Sequence, residues 1–250
     1  MRIVNEDLSP TTAPLVTPST TGYLLLAVEV DRRPMVLPDS RVKALLIRES
    51  KSVAAELERL PEVVRATVFR GFTHLVLGEN RRLLRNAVAA DRLWPARYDL
   101  VILIEVTHPA TIDTVRSNRH YGRLSELMAA TARRTFEVAA DNPRSMGDVD
   151  ASRQGVFLFN FFYGRDETQL MPVWEYTAGW WAVNTALDNS RVMQPLDGER
   201  HDYGIINHCR WDRLRDVAPQ MIVRPSFRRF VLANFAANDI SAQPTLYRLA

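Results

Sequence analysis

Tyr98-Asp-Leu-Val-Ile-Leu-Ile-Glu-Val-Thr107 and Tyr203-Gly-Ile-Ile-Asn-His-Cys-Arg-Trp-Asp212 lie in different halves of the chain and read as one pattern. Each is an apolar strand opening on Tyr, and each leads into helical sequence and then a short terminal strand. The halves also begin alike: Gly22-Tyr-Leu-Leu-Leu-Ala-Val-Glu-Val30 matches Gly155-Val-Phe-Leu-Phe-Asn-Phe-Phe-Tyr163. The repetition predicts a chain built twice from one α+β unit, and 250 residues suffice for two such units.

Working outward from the paired strands gives the order of elements. Residues 1–21, rich in Thr, Ser and Pro, read as an N-terminal arm. Ser40 is a candidate N-cap for a helix reaching about Leu60, with Val42, Leu45, Leu46, Val53 and Leu57 at helical spacing. Val63 to Phe72 and His74 to Leu77 read as a strand and hairpin element, and Glu79 to Leu93 as an inserted helix. Helical sequence from about Thr111 to Arg134, bent near Tyr121-Gly122, precedes a short strand Thr135–Ala139. Asp141 to Gln154, with Pro143 and Gly147, reads as a linker between a unit at 22–140 and a unit at 155–250. The second unit repeats the order: a strand to Tyr163, a helix from Glu167 to Asn189, a weak strand Arg191 to Leu196 placed at an edge by Pro195, the strand Tyr203 to Trp211, a helix from Ser226 to Ala237 and a strand Thr245 to Leu249.

Composition narrows the function classes. Hydrophobic residues make up 46% of the chain and charged residues 24%, the proportions of a chain with substantial cores. The formal charge is +3, with bases and acids interleaved, so no basic stripe points to nucleic acid. The single cysteine, Cys209, excludes an intramolecular disulfide and cysteine-rich zinc sites. No signal-peptide core or membrane-length apolar run occurs, and a cytoplasmic location is the expectation. G-x-G-x-x-G, Walker and G-x-S-x-G motifs are missing, and His74, His108, His120 and His201 have no metal-site spacing.

The order β-α-β-β-α-β is the ferredoxin-like split βαβ arrangement. Two copies in one chain resemble the dimeric α+β barrel superfamily, in antibiotic-biosynthesis-monooxygenase-like form, over residues 22–140 and 155–250. The resemblance implies two sheets packed face to face, both supplied here by one chain, as in chlorite-dismutase-like proteins.

Three features could carry chemistry. In Met171-Pro-Val-Trp-Glu-Tyr-Thr-Ala-Gly-Trp-Trp-Ala-Val-Asn-Thr-Ala-Leu187 a helical period puts Val173, Trp174, Thr177, Trp180, Trp181, Asn184 and Leu187 on one face. That face reads either as core packing or as the aromatic wall of a ligand pocket, with Asn184 and Thr177 as polar groups. Asn160 interrupts an apolar strand and shares a face with Val156, Leu158 and Phe162, either as a structural amide or as a functional one. In the strand from Tyr203, His208 and Arg210 share one face while Asn207, Cys209 and Trp211 share the other. His208 has the titration range of an acid/base, and Arg210 the fork that holds an oxyanion. The plain alternative is an ion pair of Arg210 with Glu105 and a hydrogen-bonded His208.

By resemblance, small cofactor-independent oxygenases and haem-degrading relatives use an Asn on the first strand with a nearby Trp. Asn160 with Trp174 or Trp181 matches in residue type and element. The haem-degrading members add an axial His on a helix, which the segment Ser226 to Ala237 lacks. The expectation is an enzyme for an aromatic or polyketide-like small molecule, monooxygenase- or cyclase-like, with no bound cofactor or metal. His208, Arg210 and Asn160 are its catalytic candidates, and Trp174, Trp181, Asn184 and Asn207 its substrate-binding ones. Nucleic acid and membrane are not expected partners, and a homodimer is allowed. The alternative is a non-catalytic ligand-binding or assembly protein of the same fold.

Overall fold

In a computed structural model, which describes residues 1–8, 11–31, 33–35, 37–75, 81–89 and 93–250, the chain closes eight strands into one antiparallel barrel. The first unit contributes β1 (Gly22–Glu29), β2 (Val63–His74), β3 (Leu100–Val106) and β4 (Arg134–Gly147). The second contributes β5 (Val156–Gly164), β6 (Ser190–Pro195), β7 (Ile205–Trp211) and β8 (Ile240–Leu249). Around the barrel the order is β1-β3-β2-β8-β5-β7-β6-β4. Each unit therefore has the spatial order 4-1-3-2 of a ferredoxin-like sheet. Two seams join the units, β2 on β8 with Gly71 opposite Tyr247, and β4 on β6 with Ala140 opposite Pro195.

Both faces of each sheet are covered, which explains why β1, β3, β5 and β7 are continuous apolar runs rather than alternating ones. Inside the barrel, residues of both units form one cluster, with Tyr23, Leu25, Leu103, Phe157, Phe159, Phe161 and Tyr247 among its members. Outside, each unit has its own helical layer and its own core. Over the first unit lie α1 (Arg41–Leu57), α3 (Ile112–Arg116) and α4 (Arg119–Thr131), while α2 (Arg81–Ala89) brings Ala87 into the barrel cluster. Over the second lie α5 (Leu170–Thr185), α6 (Leu214–Val223) and a π-helical segment Phe227–Leu232 that runs into α7 (Ala233–Ala237). Among the described residues no helix is long and apolar enough to cross a membrane.

Several expectations change in physical detail. Ser40 does cap α1, its hydroxyl accepting from the Lys43 N–H at 3.1 Å. The buried face of α1, however, is Lys43, Leu46, Ser50, Val53, Ala54 and Leu57, and Val42 and Leu45 point outward. The break in the α3–α4 region falls at Ser117-Asn118, where Asn118 caps the new helix, not at Tyr121-Gly122. The first half of the expected linker is strand: β4 pairs with β1 up to Ala140 and with β6 from Ala140 onward, with a register shift in the β6 ladder between Asp141 and Arg144. Pro143 sits in that irregularity, where its missing N–H breaks no ladder bond. Pro195 marks the last residue of β6, but a closed barrel leaves no edge there. Residues 76–80 and 90–92, parts of the expected hairpin and inserted helix, lie outside the described residues.

Candidate functional site

The β5–β7 ladder sorts the polar candidates onto two faces. Asn160 stands opposite Asn207, and Phe159 opposite His208. Because neighbours on a strand point to opposite faces, the two asparagines face the outer helical layer and His208 faces the barrel interior.

Between the second unit's sheet and its helices lie two small cavities of about 20 Å³ each. Both are walled by Leu158, Asn160, Trp181, Trp211 and Phe235. One continues toward α6 and the π-helical segment through Val217, Met221, Phe227 and Leu232. The other continues under α5 through Trp174, Thr177, Ser190, Asn207 and Cys209. Each volume suits a single water, since about 10–15 Å³ is the minimum for one. The Trp181 ring stands 6.1 Å from Trp211 and 5.4 Å from Phe227. Trp211 donates Nε1–H to Thr185 Oγ1 at 3.0 Å, which in turn donates to the Trp181 backbone carbonyl, so the β7 wall is tied to the end of α5.

Most polar groups around the cavities are satisfied. Thr177 Oγ1 donates to Val173 O at 2.8 Å, and Ser190 Oγ donates to Asn207 Oδ1 at 2.6 Å. Burial pushes the Cys209 thiol well up, leaving a neutral, weakly polar group. Asn160 differs: its Oδ1 is buried with no hydrogen-bond donor from the protein. A buried amide oxygen with no protein donor takes one from the cavity it faces, from a water or from a ligand hydroxyl that replaces it.

The other candidates lie elsewhere. His208 is sandwiched flat on Phe159, with ring centroids 4.1 Å apart, and its Nδ1–H donates to Leu158 O at 3.0 Å. Complete burial, with the Arg191 charge nearby, brings its pKa down to about 3, so the imidazole is neutral. Arg210 is held by Asp212 Oδ1 at 2.8 Å and Gln154 O at 2.8 Å. With Asn184 it lines a separate polar surface cleft of about 530 Å³. The ion pair across the units is made by Arg191, not Arg210: Arg191 Nη1 reaches Glu105 Oε2 at 2.7 Å and Tyr23 OH at 3.2 Å. A single site joining Asn160, His208 and Arg210 is therefore not formed. Asn160, Trp174, Trp181 and Asn207 are brought together. Sequence reading passed over Val217, Met221 and the Phe227–Leu232 wall, although Asp216 at a helix N3 position and the Val217/Met221 spacing were the available signal.

No protein-family model matches this chain, and no curated protein sequence does. Solved structures do. A protein described as anthrone oxidase-like superposes with a TM-score of 0.61 at 11% identity, over 94% of either chain. A provisionally named monooxygenase from Fusobacterium nucleatum gives 0.57 at 5% identity, over 92% of this chain and 93% of that one. A provisionally named chlorite dismutase gives 0.51 at 10% identity, over 93% and 95%. The fold is the dimeric α+β barrel. At these identities the likeness speaks for fold alone, and the dimeric α+β barrel here is its single-chain, tandem form. A haem does not fit the cavities of this barrel. Their walls hold no histidine among the described residues, and their one thiol is buried and neutral, so neither cavity offers the iron an axial ligand.

Proposed function

We propose that the outer cavity of the second unit binds a neutral, planar aromatic molecule bearing a hydroxyl or enol, and that the protein oxidises it with O₂ without a bound cofactor. The observation that carries this reading is the buried Oδ1 of Asn160, without a donor from the protein, on a wall shared with Trp181 and Trp211. Tryptophan faces favour a flat apolar ligand, and a lone amide acceptor favours one with a single O–H donor. No charged side chain lines either cavity among the described residues, which disfavours an ionic ligand. Accepting a hydrogen bond from the ligand hydroxyl, Asn160 would raise electron density in the ring, and the substrate would itself supply the electrons. Conversion of a ring CH₂ to C=O by one O₂, with water as second product, balances without an external reductant. The structural neighbours named as oxidase-like or monooxygenase lend this reading weight through fold only.

Calorimetric titration with 1-naphthol tests the binding half, and an oxygen electrode with anthrone the chemical half. Asn160→Leu is expected to weaken 1-naphthol at least about tenfold, the scale of one hydrogen bond to a buried polar group. Equal binding by both proteins would remove Asn160 from the site.

The small cavity volume favours a second reading, a non-catalytic barrel. It predicts no 1-naphthol binding and no oxygen uptake.

A further inference from the structure

The second unit's helical layer is crossed by the first residues of the chain, and the crossing is specific. The Arg2 backbone N–H donates to Asn238 Oδ1 at 2.6 Å, and Arg2 O accepts from Asn238 Nδ2 at 2.7 Å. Val4 repeats this two-way pairing on Asn234, at 3.0 Å in each direction. Backbone groups two residues apart are thus held by amides four residues apart, one helical turn, with Asn234 in α7 and Asn238 at its C-cap. Asn5 Nδ2 adds a bond to Arg229 O on the π-helical segment.

A second anchor lies on α5. Thr11 O sits 1.9 Å from where a Cβ on Gly179 would stand, so any side chain at 179 would collide with this backbone. Glycine is a poor choice for a helix interior, and here its missing side chain is what admits the crossing segment. Leu8 and Ala13 pack on the hydrophobic cluster that contains Trp174, Trp180 and Phe227.

The two anchors fall on two of the three helical elements that cover the cavities, α6 with Val217 and Met221 being the third. Trp174 and Trp181 come from α5, and Phe227, Leu232 and Phe235 from the π-helical segment and α7. At about 20 Å³ apiece the cavities admit no aromatic ligand, so entry requires these helices to move from the sheet. The strands cannot yield, because each is hydrogen-bonded on both sides in a closed barrel. The Phe227–Leu232 turn in this cover is π-helical, a rare departure from the α-helix that is frequent at functional sites.

We propose that residues 2–8 and 11–13 form a releasable strap, which ties α5 to the π-helical segment and α7 and holds the cavity shut until a ligand enters. It rests on the assignment of the ligand site made above, and its test separates the two.

Gly179→Ala ejects the strap while replacing a poor helix former by a good one, and Asn238→Ala loosens the other anchor at an exposed bond. Three readouts are compared with the wild-type protein: thermolysin cleavage within residues 1–21, acrylamide quenching of tryptophan fluorescence, and the association rate of 1-naphthol. With an unchanged circular dichroism spectrum, Gly179→Ala is expected to be cleaved about tenfold faster or more, to be quenched about twofold more, and to take up 1-naphthol about tenfold faster. Asn238→Ala should show the same changes to a smaller extent. Faster cleavage with wild-type quenching and wild-type association would overturn the strap, as would unchanged cleavage in both variants. Increased quenching on strap release with no 1-naphthol bound by any protein would support the strap and overturn the ligand assignment.

Discussion

Asn160 and His208 are nearly opposite each other on β5 and β7, one register step apart. That step puts the amide under the helices and the imidazole among the phenylalanines of the barrel. Each position has a measurable consequence. At Asn160 the lack of a protein donor to the oxygen means that Asn160→Leu, of similar volume, gives up no hydrogen bond within the protein from that atom, so thermal unfolding should show an unchanged or raised Tm. A fall of several degrees would mean the amide is structural. His208 has a folded-state pKa of about 3, below its ordinary 6.5. The unfolded chain therefore binds the proton that the folded chain refuses, and stability falls as pH drops from about 6.5 toward 3, by at most about 1.4 kcal/mol per pH unit. His74, brought down to about 4 by burial and Arg97, acts in the same direction. His208→Asn keeps a donor for Leu158 O and removes one of these protons. Urea unfolding at about pH 6.5 and pH 4.5 should show a smaller loss for the variant than for the wild-type chain. Parallel losses would mean that His208 is protonated in the fold.

At the scale of elements, α1 is tied to the barrel through one buried cluster. Lys43 Nζ lies 3.2 Å from Asp39 and 3.8 Å from Asp99, and Asp99 Oδ2 accepts from the Val30 and Asp31 N–H groups at 3.1 and 2.9 Å. Burial pushes the Asp99 carboxyl up in spite of Lys43. Lys43→Met should cost about 3–5 kcal/mol, the usual consequence of leaving one buried charge alone. Adding Asp99→Asn, which keeps the acceptor and removes the charge, should recover part of that loss. Denaturant midpoints of the three variants test the coupling, and simple additivity would dissolve the pair. The same cluster shows what was illegible in sequence. Helical spacing marked Val42 and Leu45 as core, yet tertiary packing turned α1 so that a lysine went inside and both were left exposed. For α6, Pro219 in the helix interior hid an element whose Val217 and Met221 form a cavity wall. For β4, Pro143 and Gly147 mimicked a linker where the strand pairs on with β6 through two register shifts.

For the whole molecule, the barrel interior is common property. Phe69 of the first unit packs edge-on against Phe157, Phe159 and His208 of the second, and Arg191 reaches across to Glu105. Neither sheet can keep its inner face dry alone. The two units should therefore unfold together: tryptophan fluorescence, carried mostly by the second unit, and far-ultraviolet circular dichroism, which reports both, should trace one urea transition. Two separated midpoints would show that the units hold their structure independently. The sequence by itself determined the units, their order and the strands, because an apolar run or a 3.6-residue period records local burial. It also determined that Asn160 and Asn207 break apolar strands, and that His208 and Asn207 face opposite ways, because side-chain alternation is a property of one strand. Only the tertiary structure decided which face became barrel interior and which met the helices. That choice depends on how the two sheets close on each other, through β2 on β8 and β4 on β6, and no spacing within a strand encodes it. It also decided that the first residues of the chain lie across α5 and α7, since contacts between distant segments follow from packing and not from local pattern.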